Sequence, residues 1–401
     1  MFKEAGLKKN LSNGWLPVIG LTLSAFVFNT SEFIPIGLLS GIADDFSITE
    51  SKAGLLITVY AWVVAAASLP LMISASRTEA RRLMLSVVGV FILGQALSAM
   101  SSSYWMLMFS RFTVACSHAI FWSIVTPLAV KIAPEGHGSK ALGMIVAGSS
   151  IAMIVGLPLG RTVGLYLGWR ATFALIAGVS AVIFFMLVFL LPKVPGSGGF
   201  SWSRLPSLFG IVPLRGLYVL TILAVTAHFT GYSYIEPFLA SVAGFGEMWI
   251  TVILMLFGLM GIFGSMLFSR YYDSHPLLFM SCAVMGICVS LLLLGPVSSS
   301  RAGLVVLCMA WGLAVSFLNL AFQSEVIRVA PADGVAVAMS IYSGIYNVGI
   351  GGGALAGGFV CSHLSVSSVG YIGGLIGIVA TVCFLMSKKY HVRKPLDQAR
   401  A

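Results

Sequence analysis

Charge is scarce in this sequence. Of 401 residues only 9% are Asp, Glu, Lys or Arg, while 58% are hydrophobic. Soluble domains carry about 25% charged residues, so a water-soluble globular domain is excluded and a polytopic membrane protein is expected. The net charge of +10 requires no nucleic-acid partner, because surplus Lys and Arg in a membrane protein mark cytoplasmic loops. Cysteine is sparse and unclustered. Cys116, Cys282, Cys288, Cys308, Cys361 and Cys383 lie mostly inside apolar runs, with no CxxC partner and no His cluster at metal spacing. Neither a metal site nor a disulfide framework is expected, and no cofactor. There is no HExxH, no GxSxG, no Ser/His/Asp set at one depth and no phosphate-cradling P-loop. An intramembrane enzyme and an ATP-driven pump are therefore disfavoured.

What is present is a series of long apolar runs. A helix of about 20 residues spans a ~30 Å hydrocarbon core, and twelve runs qualify. They lie near 16–40, 52–74, 83–101, 104–131, 140–164 and 171–191, then 216–240, 249–269, 276–295, 303–329, 335–360 and 369–387. The basic opening MFKEAGLKKN precedes a run too long for a signal-peptide core and without a small-residue cleavage site, so no cleaved leader is expected. The expected fold is all-α, with twelve transmembrane helices in two six-helix bundles: residues 1–192, a Pro-, Gly- and Ser-rich cytoplasmic linker over 193–215, and residues 216–401. With both termini inside, only Lys52, Arg111, Arg161, Arg170 and Arg301 of the 23 Lys and Arg fall in spans or outside, leaving 18 on the cytoplasmic face. An odd number of spans would destroy this asymmetry. A weak repeat supports the halves: FIPIGLL (33–39) ends the first span and IEPFLA (235–240) the seventh, each with a Glu and a Pro nearby.

Within the first run, Glu32 is the only charged side chain between Lys9 and Asp44. A carboxylate at that depth is costly unless neutralised, paired or facing a wet cavity, which points to function. The bland alternative is a Glu that snorkels to the headgroups. Asn29, three residues earlier, shares its helical face. Elsewhere the polar residues are unevenly spread. The fourth span has Arg111, His118 and Trp122, the seventh His228, Tyr232 and Glu236, the tenth Asn319 and Gln323, and the eleventh Asn347. The third, sixth, ninth and twelfth hold little beyond Ser, Thr and Gln95. Polar first members and greasy third members of each three-helix unit are what a central cavity needs, and paired halves of this kind point to a secondary transporter. Spacings of seven and four (Arg111, His118, Trp122), four and four (His228, Tyr232, Glu236) and four (Asn319, Gln323) put each set on one face. Amides, imidazoles and aromatic faces suit a neutral hydroxylated ligand. Each also has an ordinary reading. The aromatics pack between helices, a lone His makes an interhelical hydrogen bond, and Arg111 anchors its helix at the outer interface beside Tyr104 and Trp105. Small residues Gly148, Gly156 and Gly160 with Pro158, and SGIYNVGIGGGALAGG over 343–358, allow close helix approach or bending.

FNTSEFIPIGLL (28–39), YAWVVA (60–65), SHAIFWS (117–123), GLPLGRTVG (156–164) and VTAHFTGYSYIEPF (225–238) together resemble the major facilitator superfamily over essentially the whole length. They are most similar to the bacterial SotB-like sugar efflux transporters of its drug:proton antiporter-type branch. Gly156, Leu157, Pro158, Leu159 and Gly160 resemble the antiporter motif with its Pro shifted by one. The basic loop motif survives only in Arg81, Arg82 and Leu85, with Ile73, Arg77 and Ala80 in place of its glycines and acid, which puts its salt-bridge latch in doubt. The fourth-span motif keeps Arg111 but has Val114 and Ala115 where Gln and Gly are common. The resemblance implies proton-driven export of sugars such as arabinose and thiogalactoside-type compounds from the cytoplasm of a bacterium, across its inner membrane. Export of amphipathic drugs is the alternative, and a sensor or scaffold on the same fold is disfavoured by costly carboxylates. The expected coupling groups are Glu32 and His118, with Glu236 and His228 as the matching alternative. The expected sugar contacts are Asn29, Trp122, His228, Tyr232, Asn319, Gln323 and Asn347. The expected partners are a small sugar, protons and the lipid bilayer, for a monomer.

Overall fold

The structure is a computed structural model that describes residues 15–75, 78–135, 137–195, 209–331 and 335–391. Among these, twelve helices are long and apolar enough to cross a membrane. The first three are Leu16–Gly37, Glu50–Ala75 and Ala80–Ala99, and the fourth is Tyr104–Ile132. The fifth is Gly138–Ile151, continued through a π-helical turn Ala152–Gly156 into Leu157–Leu167; the sixth is Trp169–Leu190. The seventh, Val212–Tyr232, is followed by Glu247–Tyr271, Pro276–Val297, Arg301–Val329, Val335–His363 and Val369–His391. The expected linker over 193–215 falls partly outside the described residues, as do both chain termini, and Val212 already begins the seventh helix.

Local sequence explains the ends and the breaks. Pro17, Pro213 and Pro276 sit in first turns, where the missing N–H is not needed. Ser103 and Ser300 cap the fourth and tenth helices, accepting from Met106 N and Gly303 N. These are matching positions in the two halves. Gly168, with φ of 84°, makes the turn into the sixth helix that an L side chain resists. Two breaks also match. Pro35 precedes the end of the first helix at Gly37, and a short helix Leu39–Asp45 follows; the seventh ends at Tyr232, and Ile235–Pro237 and a π-helical turn Phe238–Val242 follow.

The described residues fall into two compact units, one made of those within 1–200 and 246–258, the other of those within 201–245 and 259–401. In each, a glycine ladder seats one helix on another. A Cβ at Gly148 would fall 2.5 Å from the Thr22 carbonyl, and one at Gly156 or Gly160 would collide with Thr30 or Ile34. So the fifth helix rides on the first. In the second unit Gly349, Gly353 and Gly357 of the eleventh helix meet Val225, the Thr226 carbonyl and the Thr230 carbonyl of the seventh. Each seam also carries a side-chain hydrogen bond to backbone, from Asn29 to the Ser149 carbonyl and from Tyr234 to the Ala354 carbonyl. Such contact gains nothing from the hydrophobic effect in lipid and rests on dispersion between closely approaching backbones. The start of the eighth helix belongs to the first unit. There the buried Arg161 donates to Glu247 at 2.7 Å, and Gly258 abuts the Met153 carbonyl.

Candidate functional site

The first unit gathers its polar groups around residues 28–35. Phe28 is clamped between Phe91 of the third helix and Phe121 of the fourth, with ring centroids 3.9 and 4.0 Å away. One turn later on the same face, Glu32 is thereby held against the fourth helix. Its Oε2 lies 3.5 Å from His118 Nε2, and the two side chains are 11% and 3% exposed. A carboxylate and an imidazole at this separation, almost dry, can share or exchange a proton, since each has a nitrogen or oxygen lone pair facing the other. The opposite ring nitrogen, His118 Nδ1, is buried with no partner among the described residues.

Arg111 is completely buried. That overturns the reading of it as an interfacial anchor beside Tyr104 and Trp105. Its Nη1 donates to the Ser31 carbonyl at 3.0 Å and to Ser31 Oγ at 3.2 Å, and its Nη2 to the Glu32 carbonyl at 3.4 Å. The guanidinium also lies over the ring of Tyr60, 4.3 Å from its centroid, an attraction worth ~0.5–2 kcal/mol. The hydrogen bonds of the cation thus go to backbone and Ser31 Oγ, and none to the Glu32 carboxylate, on which its charge acts without direct contact. Tyr60 presents its edge to His118, centroids 5.5 Å apart, and its hydroxyl is buried and unpartnered among the described residues. Gln95 closes the cluster by donating from Nε2 to Ser31 Oγ. Trp122 lies one turn beyond His118, ring centroids 6.0 Å apart. Asn29 turns toward the fifth helix and donates to the Ser149 carbonyl at 3.3 Å. Of the sequence-derived residues, Glu32, His118, Arg111 and Trp122 are thus brought together here, with Asn29 alongside. Gly148, Gly156 and Gly160 form the adjoining helix seat, and Pro158 is buried in the same stretch. Ser31 and Tyr60 were not singled out. Tyr60 carried a signal, as a hydroxyl in the apolar second span.

In the second unit His228 stacks on Tyr232 at 4.9 Å, and both meet Trp311 of the tenth helix edge-on at 5.4 and 6.0 Å. Trp311, fully buried, was not singled out either. Glu236 is buried, but it follows the break after Tyr232. The four-residue spacing therefore does not carry it along the face of His228 and Tyr232, as a continuous helix would. On the tenth helix Asn319 is half-buried and Gln323 exposed. Asn347 donates to the Ser343 carbonyl at 3.0 Å, and its buried Oδ1 has no partner among the described residues. A further buried acid, Glu325, is held at the end of the tenth helix. Arg328 grips both its oxygens and Tyr272 donates to Oε1 at 2.7 Å. Among the described residues no His, Cys, Asp and Glu cluster suits a metal ion.

The sequence profile of the Major Facilitator Superfamily matches residues 21–350. A relative from Mannheimia succiniciproducens, named "Probable sugar efflux transporter", is 44% identical over 380 residues, covering 95% of this chain and 96% of its own. A crystal structure of a POT family transporter in complex with 5-aminolevulinic acid superposes with a TM-score of 0.77 at 14% identity, over 94% of this chain and 96% of that one. One in complex with a thioalcohol conjugated peptide gives 0.76 at 13% identity, over the same shares. At such identities these two structures establish likeness of fold alone.

Proposed function

The chain belongs to the Major Facilitator Superfamily, as a multi-pass membrane transporter and not an enzyme, and we propose that it exports sugars from the cytoplasm in exchange for protons. The observation that carries this reading is the nearly dry Glu32–His118 pair, 3.5 Å apart, in which Glu32 is the one charged side chain of the first helix. An antiporter needs a group whose proton affinity differs between inward-open and outward-open states, and a carboxylate facing an imidazole is such a group. The name of the Mannheimia relative supports sugar as cargo. Asn29, Trp122, His228, Tyr232, Asn319, Gln323 and Asn347 are the proposed sugar contacts, and arabinose and thiogalactoside-type compounds the proposed substrates. Glu236 is the alternative proton carrier. The glycine seats at 148, 156 and 160 with Pro158, and Arg111, serve the change of state in alternating access. The protein works as a monomer in a bacterial inner membrane with both termini and the linker cytoplasmic. Reporter tags at all three places should read as cytoplasmic, and a periplasmic signal from the linker refutes that topology.

The test is uptake of labelled arabinose into everted vesicles, with and without an uncoupler. Proton-driven accumulation that collapses with uncoupler is expected for wild type. Glu32→Gln, which mimics the protonated acid, should keep sugar binding and sugar–sugar exchange but lose uphill transport. His118→Ala should flatten the pH dependence. Wild-type accumulation and pH profile in Glu32→Gln removes Glu32 from the mechanism. Transport of an amphipathic drug but of no sugar overturns the cargo assignment in favour of multidrug export.

A further inference from the structure

Pro35 lies inside the first membrane helix and has no N–H to give to the carbonyl four residues earlier. That carbonyl belongs to Ser31, and it is the one that Arg111 Nη1 occupies at 3.0 Å. A buried backbone acceptor in hydrocarbon must find a donor, and a fully buried guanidinium must find acceptors. The proline creates the one and the fourth helix supplies the other. The same guanidinium reaches the Glu32 carbonyl at 3.4 Å and Ser31 Oγ at 3.2 Å, while Gln95 donates to that hydroxyl from the third helix. The cation is anchored one residue from the carboxylate without lying on it.

We propose that Pro35 is a positioning residue for proton coupling: by withholding its N–H it frees the Ser31 carbonyl to hold Arg111 on the helix backbone, and so leaves the Glu32 carboxylate to His118. This rests on the reading of Glu32 as the coupling group. With a restored backbone N–H on the same carbonyl, the guanidinium must share its shortest anchor and is held there less firmly. Its remaining acceptors are Ser31 Oγ at 3.2 Å and the Glu32 carbonyl at 3.4 Å, and the negative charge within its reach is the Glu32 carboxylate. An Arg–carboxylate pair favours the ionised acid, and an acid held ionised by the cation no longer takes up and releases a proton during the cycle. The titratable and charged groups around Glu32 are few: His118 at 3.5 Å and Arg111 from the fourth helix, and Tyr60 from the second, which lies against both. The third helix contributes the neutral Gln95 and the ring of Phe91, and the fifth the Ser149 carbonyl that takes Asn29.

The experiment uses the full chain in proteoliposomes. Proton-driven arabinose efflux is measured against pH, and arabinose–arabinose exchange at fixed pH, for Pro35→Ala, Pro35→Gly, Arg111→Gln and the double variant Pro35→Ala/Arg111→Gln. Pro35→Ala is expected to lower proton-driven efflux about tenfold and to move its pH profile toward acid, with exchange within twofold of wild type. Pro35→Gly, which restores the same N–H on a softer helix, should do likewise if Pro35→Ala assembles poorly. Both changes act on one carbonyl, so the double variant should be no worse than Arg111→Gln alone. Wild-type efflux and pH profile in both Pro35 variants, or losses that multiply in the double variant, overturn the proposal. Should Glu32→Gln itself pump normally, it is the coupling reading that fails. Should Glu32→Gln lose pumping while the Pro35 variants keep it, only the role of Pro35 fails.

Discussion

Gly352 and Gly353 are neighbours in the eleventh helix, and the same added methyl group meets different surroundings at each. At Gly353 a Cβ would lie 2.6 Å from the Thr226 carbonyl oxygen, 2.7 Å from Phe229 Cβ and 2.9 Å from Thr230 N. Two of these are backbone atoms of the seventh helix and cannot rotate away. To reach ordinary contact at 3.4 Å the two helices must part by about 0.8 Å. A gap of that size forfeits a quarter to a half of each dispersion well along the seam, and overpacking of this kind costs ~1–3 kcal/mol. At Gly352 the nearest atom is Thr226 Oγ1 at 3.7 Å, and nothing must move. Both substitutions gain the same helix propensity, ~1 kcal/mol in water, so that contribution cancels in the comparison. Gly352→Ala should therefore melt at or above wild type and Gly353→Ala below it, with ~1–3 kcal/mol between them. Thermal unfolding of the two purified variants, followed by loss of the monodisperse protein in one detergent, measures the difference. Equal melting of the two variants, or a Gly353→Ala as stable as Gly352→Ala, refutes the ladder as the seat of the eleventh helix.

Phe28→Ala empties the slot between Phe91 and Phe121 and should cost ~3–5 kcal/mol, read as a lowered Tm and a loss of proton-driven efflux together. Gly156→Ala should behave like Gly353→Ala, because Thr30 fills the space its Cβ would take, whereas Gly178→Ala, with nothing within 4 Å, should melt at or above wild type, as expected of Gly352→Ala. Arg328→Gln should destabilise more than Glu325→Gln, since the first strands a buried carboxylate and the second keeps an oxygen for Tyr272; the order of the two melting temperatures decides it. Asn319→Ala and Gln323→Ala should each weaken arabinose binding a few-fold to about tenfold, the worth of one hydrogen bond to a neutral ligand at ~0.5–1.5 kcal/mol. Wild-type affinity in both removes the tenth helix from the sugar site.

The helices themselves were legible because lipid forces every spanning segment to satisfy its own backbone, so apolar length maps almost directly onto structure. The expected fourth span at 104–131 and the observed Tyr104–Ile132 differ by one residue. Glu32 stood out for the same reason, as a lone charge in such a run. What spacing on one helix does not encode is the neighbour it meets. Ser31 and Trp311 are ordinary residues in sequence, and they matter because an arginine and a His–Tyr pair arrive from other helices. Arg111 was seen but its depth was left open, because a cation eight residues into a helix reads equally as an anchor or as a buried group. Glu236 was misplaced on its face because the helical period was carried through the turn at Ser233 and Tyr234. Glu325 was passed over because its proximity to Arg328 at a helix end looks like an exposed i,i+3 pair.

The two ladders also bear on how the chain is assembled. Thr22 waits for Gly148 and Thr226 for Gly353, so in each half the first helix to be made receives its permanent neighbour only after three others have been threaded into the bilayer. Contacts of such long sequence separation form late. During synthesis the threonine-lined groove of the first helix must pass through an interval in which lipid or the insertion machinery stands where glycine will later lie. A chain released before residue 148 should leave that groove open and be a target for quality-control proteolysis, whereas one released just beyond the fifth helix should already be resistant there.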